Sequence, residues 1–164
     1  LLWEINSSNF NIAILRPPIV YGRGCPGNYV RLAKLALTFP LFPDIDNKRS
    51  MIYIDNLSEF IRIIIDNREN GVYFPQNKDY VNTTDLVRLI SKAQGKELKT
   101  TKMFNGAVSI GLKLSGTLRN VFGSFVYDIG ISGSSSAKIN TKKIDYEVVS
   151  FEESIIRTEG REQI

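Results

Sequence analysis

The stretch Gly22-Arg23-Gly24-Cys25-Pro26-Gly27 spells Gly-x-Gly-x-x-Gly, the spacing that cradles a dinucleotide pyrophosphate. Asp44 and Asp46 follow roughly 20 residues later, where a ribose-binding acid would stand. The chemistry does not close. Such a loop works because free backbone N–H groups at a helix start converge on the phosphates, and Pro26 removes one of them. Pro17 and Pro18 interrupt the strand that should run straight into the turn. The two aspartates sit in a polar loop, not at the end of a second strand. The hexapeptide therefore reads as a tight loop. No histidine exists and Cys25 is the sole cysteine, so the chain lacks the commonest zinc ligand, the usual general base and any intrachain disulfide. Arg49 taken alone reads as a solvated turn residue.

The elements around these residues follow from periodicity and punctuation. Residues 10–15 form a short apolar strand ended by Arg16-Pro17-Pro18, and Ile19-Val20-Tyr21 is a second extended piece. Asn28 is placed to cap a helix with Val30, Leu32, Leu35 and Ala36 on its apolar side. Residues 39–43 read as a short strand or extended loop. Met51-Ile52-Tyr53-Ile54 is a strand, and Asp55 caps a helix burying Leu57, Phe60, Ile61 and Ile64. Val72-Tyr73-Phe74 is another strand. Asn82 or Thr83 caps a helix with Leu86, Leu89, Ile90 and Ala93 inward, stopped by Gly95. Residues 99–104 read as a strand and 108–118 as a helix. Residues 130–136 have the composition of a mobile loop, 146–149 of a last strand, and a helix starts near Phe151. The opening residues Leu1-Leu2-Trp3-Glu4 look like the last turn of a helix that begins earlier. Strands alternating with helices place the chain in the α/β class.

Two segments carry a resemblance. Arg16-Pro17-Pro18-Ile19-Val20-Tyr21-Gly22-Arg23-Gly24 is similar to the R-P-x-x-V-Y-G-x-G element of extended short-chain dehydrogenases that act on nucleotide sugars. Lys48-Arg49-Ser50-Met51-Ile52-Tyr53-Ile54-Asp55-Asn56-Leu57 resembles the same family's R-D-x-h-x-V-x-D segment, with Ser50 where Asp is usual. The order and spacing of the two match the family. The resemblance implies an NAD-dependent epimerase or dehydratase, closest to UDP-glucose 4-epimerase. This chain would then be its C-terminal nucleotide-sugar-binding subdomain, with the last strands of a truncated Rossmann-type domain. Residues 1–24 would be the remnant of the NAD-binding domain and residues 25–164 the substrate-binding part. On that footing Pro17, Pro18, Ile19 and Val20 border the nicotinamide and Arg49 clamps the diphosphate, a task suited to a bidentate guanidinium. Asn28 contacts the nucleotide at a helix start, and Leu41 and Phe42 pass the nucleobase. Ile19 stands where galactose epimerases carry Asn. In the family, hydride leaves sugar C4 to give a 4-keto intermediate and returns to the opposite face, or after loss of water in a 4,6-dehydratase.

The family also requires a Tyr-x-x-x-Lys pair, in which the lysine lowers the tyrosine's pKa for proton transfer. The chain's seven tyrosines are followed four residues later by Cys25, Ala33, Leu57, Asn77, Thr84, Ile131 and Ser150. The resemblance thus implies a piece inactive alone, whose catalytic pair and Gly-rich NAD motif lie in a missing N-terminal Rossmann domain. It also implies a UDP-sugar ligand, a homodimeric parent and a role in polysaccharide biosynthesis. A non-catalytic sensor or interaction module on the same fold is the rival reading.

Totals bound the remainder. The 164 residues suffice for a compact core, and 43% hydrophobic with 23% charged is ordinary for a globular chain. A net charge of +4 is spread along the length without a basic stripe or interleaved aromatics, which argues against nucleic-acid binding. Apolar runs fall short of the roughly 20 residues a membrane span needs. A single cysteine points to a cytoplasmic setting.

Overall fold

A computed structural model describes residues 10–116, 119, 122–127 and 145–160. Its order is β1 (Ala13–Leu15), β2 (Ile19–Tyr21), α1 (Asn28–Thr38), β3 (Leu41–Pro43), β4 (Met51–Tyr53), α2 (Ile54–Asp66), β5 (Gly71–Tyr73), α3 (Thr83–Ala93), β6 (Lys99–Thr101), α4 (Asn105–Leu114) and α5 (Phe151–Glu159). The expected helix end in residues 1–4 and the expected loop at 130–136 lie outside the described residues.

The strands pair in three parallel ladders, β1 with β5, β2 with β4 and β3 with β6. Parallel pairing requires a crossover between partners, and the alternation of strand and helix supplies one each time. This is the expected α/β class. The ladders β1–β5 and β2–β4 join residues on both sides of position 24. The prolines act as expected: neither Pro17 nor Pro18 can donate, and they separate β1 from β2.

The main core gathers Tyr21, Leu32, Phe42, Met51, Val81, Leu86 and Ile90 between the ladders and helices α1, α3 and α5. A smaller cluster places Phe60 and Ile64 of α2 against Tyr73 of β5. Helix α3 follows its local signals closely. The Asn82 side chain accepts from the N–H groups of Thr84 and Asp85, satisfying two orphan donors. At the other end Gly95 adopts φ +70°, and Lys96 N–H reaches Ser91 C=O at 2.8 Å while Gly95 N–H reaches Lys92 C=O, the Schellman arrangement.

Several expectations need correction. Gly27, not Asn28, is the N-cap of α1, because helical geometry already begins at Asn28; the cap has no side-chain hydrogen bond. Tyr53 rather than Asp55 caps α2, and Asp55 lies in the first turn, where its charge suits the helix dipole. Val30 and Ile61 are exposed, at 53% and 40%; Tyr29 takes the inward place that Val30 was expected to hold. Strand β6 stops at Thr101 and α4 spans 105–114 instead of 108–118. Residues 146–149 form no strand: the backbone of Val149 is bonded by a side chain instead, that of Asn56.

Tyr73 OH donates to Glu69 at 2.9 Å. Burial, helped by that bond, pushes its hydroxyl up to about 12. A free tyrosine loses its proton near pH ~10, so above that pH the unfolded chain sheds a proton that the folded chain keeps. Stability should be unaffected by this group below pH ~10 and should fall as pH rises from there toward 12. Urea midpoints compared between about pH 9 and pH 11 would show the decline, and Tyr73→Phe should make it shallower, the remaining slope coming from other buried tyrosines such as Tyr21 and Tyr29. An equal slope in the variant would refute the assignment.

Candidate functional site

The β2–β4 ladder positions the residues that the sequence singles out. Its register pairs Ile19 with Met51 and Tyr21 with Tyr53. Because the strands are parallel and in step, Pro17 and Pro18 lead into β2 at the same end where Arg49 and Ser50 lead into β4. The two motifs, some thirty residues apart in sequence, therefore share one end of one ladder. Val20 lies within that ladder, and all four residues from Pro17 to Val20 are half-buried. Asn28 starts α1 beyond the opposite end of β2, across the Gly-rich turn, and is half-buried.

That turn needs a glycine at position 22. Gly22 has φ +152°, and an added Cβ would sit 2.4 Å from Ile54 Cγ2. The backbone thus passes directly against the first residue of α2. The hollow of about 290 Å³ beside the turn is lined by Gly22, Cys25, Pro26, Tyr29, Thr158 and Glu159, among others. Glu159 closes it by accepting from Tyr29 OH at 2.8 Å and from Gln94 Nε2 at 2.9 Å.

Arg49 is buried, with 2% exposure, where a solvated turn residue would have been open. Its backbone exchanges both hydrogen bonds with Val81 at 2.9 Å, an antiparallel bridge. On its other side Ser50 N–H donates to Phe125 C=O at 2.8 Å and Phe125 N–H donates to Lys48 C=O at 3.0 Å, a parallel bridge. Burial pulls the guanidinium below its ordinary pKa, though arginine remains cationic at neutral pH. Ser50, standing where Asp was expected, is buried as well and its hydroxyl accepts from Tyr127 N–H at 2.9 Å. Lys48 to Ser50 thus form the middle of a small three-segment sheet.

Leu41 is 39% exposed, whereas Phe42 is 2% exposed and packs on Phe122 at 5.7 Å between ring centres. The Phe42 ring is part of the main core. Sequence reasoning missed Val81 and Phe125 as neighbours of Arg49, and Tyr127 as a neighbour of Ser50. The only local cue was the aromatic alternation Phe125-Val126-Tyr127, which has the period of a strand.

Tyr21 illustrates why a tyrosine here is structural. Ser154 Oγ donates to Phe151 C=O at 2.6 Å, so the 2.6 Å contact between Ser154 and Tyr21 uses the tyrosine proton. Asn77 Nδ2 then donates to Tyr21 OH at 3.4 Å. Burial pushes the Tyr21 hydroxyl up, which keeps it neutral. With its proton and an acceptor site engaged, Tyr21 has nothing to offer a substrate. A second hollow, about 430 Å³, is lined by Asp44, Asp46, Asn82, Asp85, Lys102 and Asn105.

Among the described residues no helix is long and apolar enough to cross a membrane. No protein-family model matches the chain. The chain is 33% identical over 94 residues to UDP-glucose 4-epimerase of Vibrio cholerae, covering 54% of this chain and 29% of that protein. It thus spans less than a third of that relative's length. Among solved structures, UDP-glucuronic acid 4-epimerase from Bacillus cereus in complex with NAD is 25% identical, with a TM-score of 0.47 over 57% of this chain and 32% of that one. A structure from Burkholderia cenocepacia J2315 covers 89% of this chain and 45% of its own at 12% identity and a TM-score of 0.50, a likeness of fold. In sequence the chain is similar over 94 residues to a UDP-glucose 4-epimerase, and its fold is mixed α/β with parallel strands.

Proposed function

We propose that this epimerase-like chain is the nucleotide-sugar-binding part of an NAD-dependent UDP-sugar 4-epimerase, with residues 1–24 completing a dinucleotide-binding region and residues 25–164 holding the substrate. The carrying observation is the register of β2 against β4, which sets the turn at Pro17 and Pro18 and the cation Arg49 at one end of one ladder. A sugar nucleotide has a diphosphate on one side and a reacting ring on the other, and this end offers a cation and an apolar wall. The sequence likeness to UDP-glucose 4-epimerase supports the same reading.

NAD, when bound, supplies the hydride acceptor for sugar C4. The residues present fit a supporting role toward it. Pro26 deletes a donor from the Gly22–Gly27 loop, so that loop is no pyrophosphate cradle. Pro17, Pro18, Ile19 and Val20 make a stiff apolar wall that excludes water beside a nicotinamide. Arg49 offers the diphosphate a permanent charge, and Asn28 offers an amide near the free N–H groups of a helix start. Leu41 lends an exposed apolar side chain toward the nucleobase. The proton relay requires a Tyr-x-x-x-Lys pair, a pattern none of the seven tyrosines satisfies, so this chain binds and orients and another region carries out the proton transfer.

The test is calorimetric titration of UDP into the full-length protein. Loss of a charge-assisted contact costs about 1.5–3 kcal/mol, so Arg49→Ala should weaken UDP by roughly ten- to a hundredfold while the thermal transition stays cooperative. Unchanged affinity in a folded variant would remove Arg49 from the site.

A further inference from the structure

We propose that α4 is a membrane-surface contact, the face through which this chain rests on an anionic lipid bilayer. None of the described side chains of α4 is buried. Ile110 and Leu114, one helical turn apart and so on one face, are 61% and 83% exposed. The turn that feeds the helix adds Met103 and Phe104, both exposed as well. What fastens the helix start to the body is polar: Asn105 Nδ2 donates to Asp44 C=O at 2.8 Å. A helix ordinarily docks its apolar stripe on the core. Single exposed apolar residues need no account, but four on one short element mark a contact surface.

Charge chooses the occupant. Between Glu97 and Asp128 the sequence has Lys99, Lys102, Lys113 and Arg119 and no acid, so this stretch alone equals the +4 of the whole chain. Lys102 shares a hollow with Asp44, Asp46 and Asp85, which offset it. Lys113 is exposed beside Leu114, on a helix that carries no acid. A second copy of the chain would press this cationic stretch against itself, which like-charge repulsion disfavours. An anionic bilayer takes both features at once: apolar side chains enter the headgroup boundary while lysine heads meet lipid phosphates. The 10 residues of α4 reach about 15 Å, half of the roughly 30 Å of hydrocarbon, so the helix lies flat on the surface.

Co-sedimentation of the full-length protein with vesicles tests this, using phosphatidylcholine alone and phosphatidylcholine mixed with phosphatidylglycerol. Binding is expected on the anionic vesicles, should fall as salt screens the charge, and should be weak on the neutral ones. Ile110→Gln combined with Leu114→Gln should lower vesicle affinity by roughly tenfold or more, because two apolar side chains no longer enter the lipid. Lys113→Gln should lower it by roughly fivefold, the loss of about 1 kcal/mol for one cation at the surface. These side chains are exposed, so the thermal transition and UDP affinity should match the parent in every variant. No binding of the parent to anionic vesicles, or equal binding by the double variant, overturns the proposal. A marked drop in the double variant's thermal midpoint without lipid overturns it too, since a second copy or another part of the protein would then already cover the helix.

Discussion

Tyr21→Ala should be the most destabilising single change in the β2–β4 region, costing about 3–5 kcal/mol in urea unfolding. The side chain is fully buried, and its ring stacks on Tyr29 at 5.4 Å, tilts against Tyr53 at 5.6 Å and meets Phe151 edge-on at 6.5 Å. Removing it leaves a cavity where β2, β4, α1 and α5 converge. Tyr21→Phe keeps the ring and deletes the hydroxyl. It should cost less, about 1–3 kcal/mol, because Ser154 loses a donor and Asn77 loses an acceptor in a buried place. The pair separates packing from hydrogen bonding. A Tyr21→Ala variant as stable as the parent would show that this cluster is not the core.

Asn56→Ala comes next, with an expected loss of about 2–4 kcal/mol. Asn56 is buried, and its side-chain amide does what a neighbouring strand would do. Nδ2 donates to Val149 C=O at 2.9 Å, and Oδ1 accepts from Val149 N–H at 2.9 Å. Alanine would strand both backbone groups of Val149, itself only 5% exposed, without a partner. Asn56→Asp is the sharper variant, since it retains the acceptor and loses the donor. Hydrogen exchange at the Val149 amide gives a direct reading: it should speed up in the alanine variant and stay slow in the aspartate one. Slow exchange in both would mean that other contacts hold this segment.

The site was partly legible in advance. The two motifs could be read from their order and spacing, but not that the ladder register brings the Pro17 turn and Arg49 to the same end of one ladder. The rejection of the glycine loop as a phosphate cradle also needed nothing but Pro26. The environment of Arg49 was not legible. A single arginine between a polar turn and a strand looks exposed, and what buries it comes from Val81 and Phe125, 32 and 76 positions downstream. The place of Phe42 was equally invisible, since an apolar residue in a short strand has the same local pattern whether it faces a ligand or the core. Helix α2 shows the limit on a smaller scale. The helix was legible from its spacing, yet of its expected inward residues Phe60 and Ile64 dock on Tyr73 while Ile61 is left 40% exposed.

By itself the sequence determined the α/β alternation, the break at Pro17 and Pro18, the amide cap and glycine stop of α3, and the absence of a Tyr-x-x-x-Lys pair. Each depends on backbone freedom, lost donors or residue spacing within a few positions, and such forces act without knowledge of the rest of the chain. The tertiary structure alone decided that Val30 faces outward and Arg49 inward, that Asn56 holds Val149 across 93 positions, and that Phe42 is closed in the core while Leu41 beside it is exposed. Those outcomes depend on which surfaces meet after collapse, and burial is a property of the assembled neighbours, not of the residue.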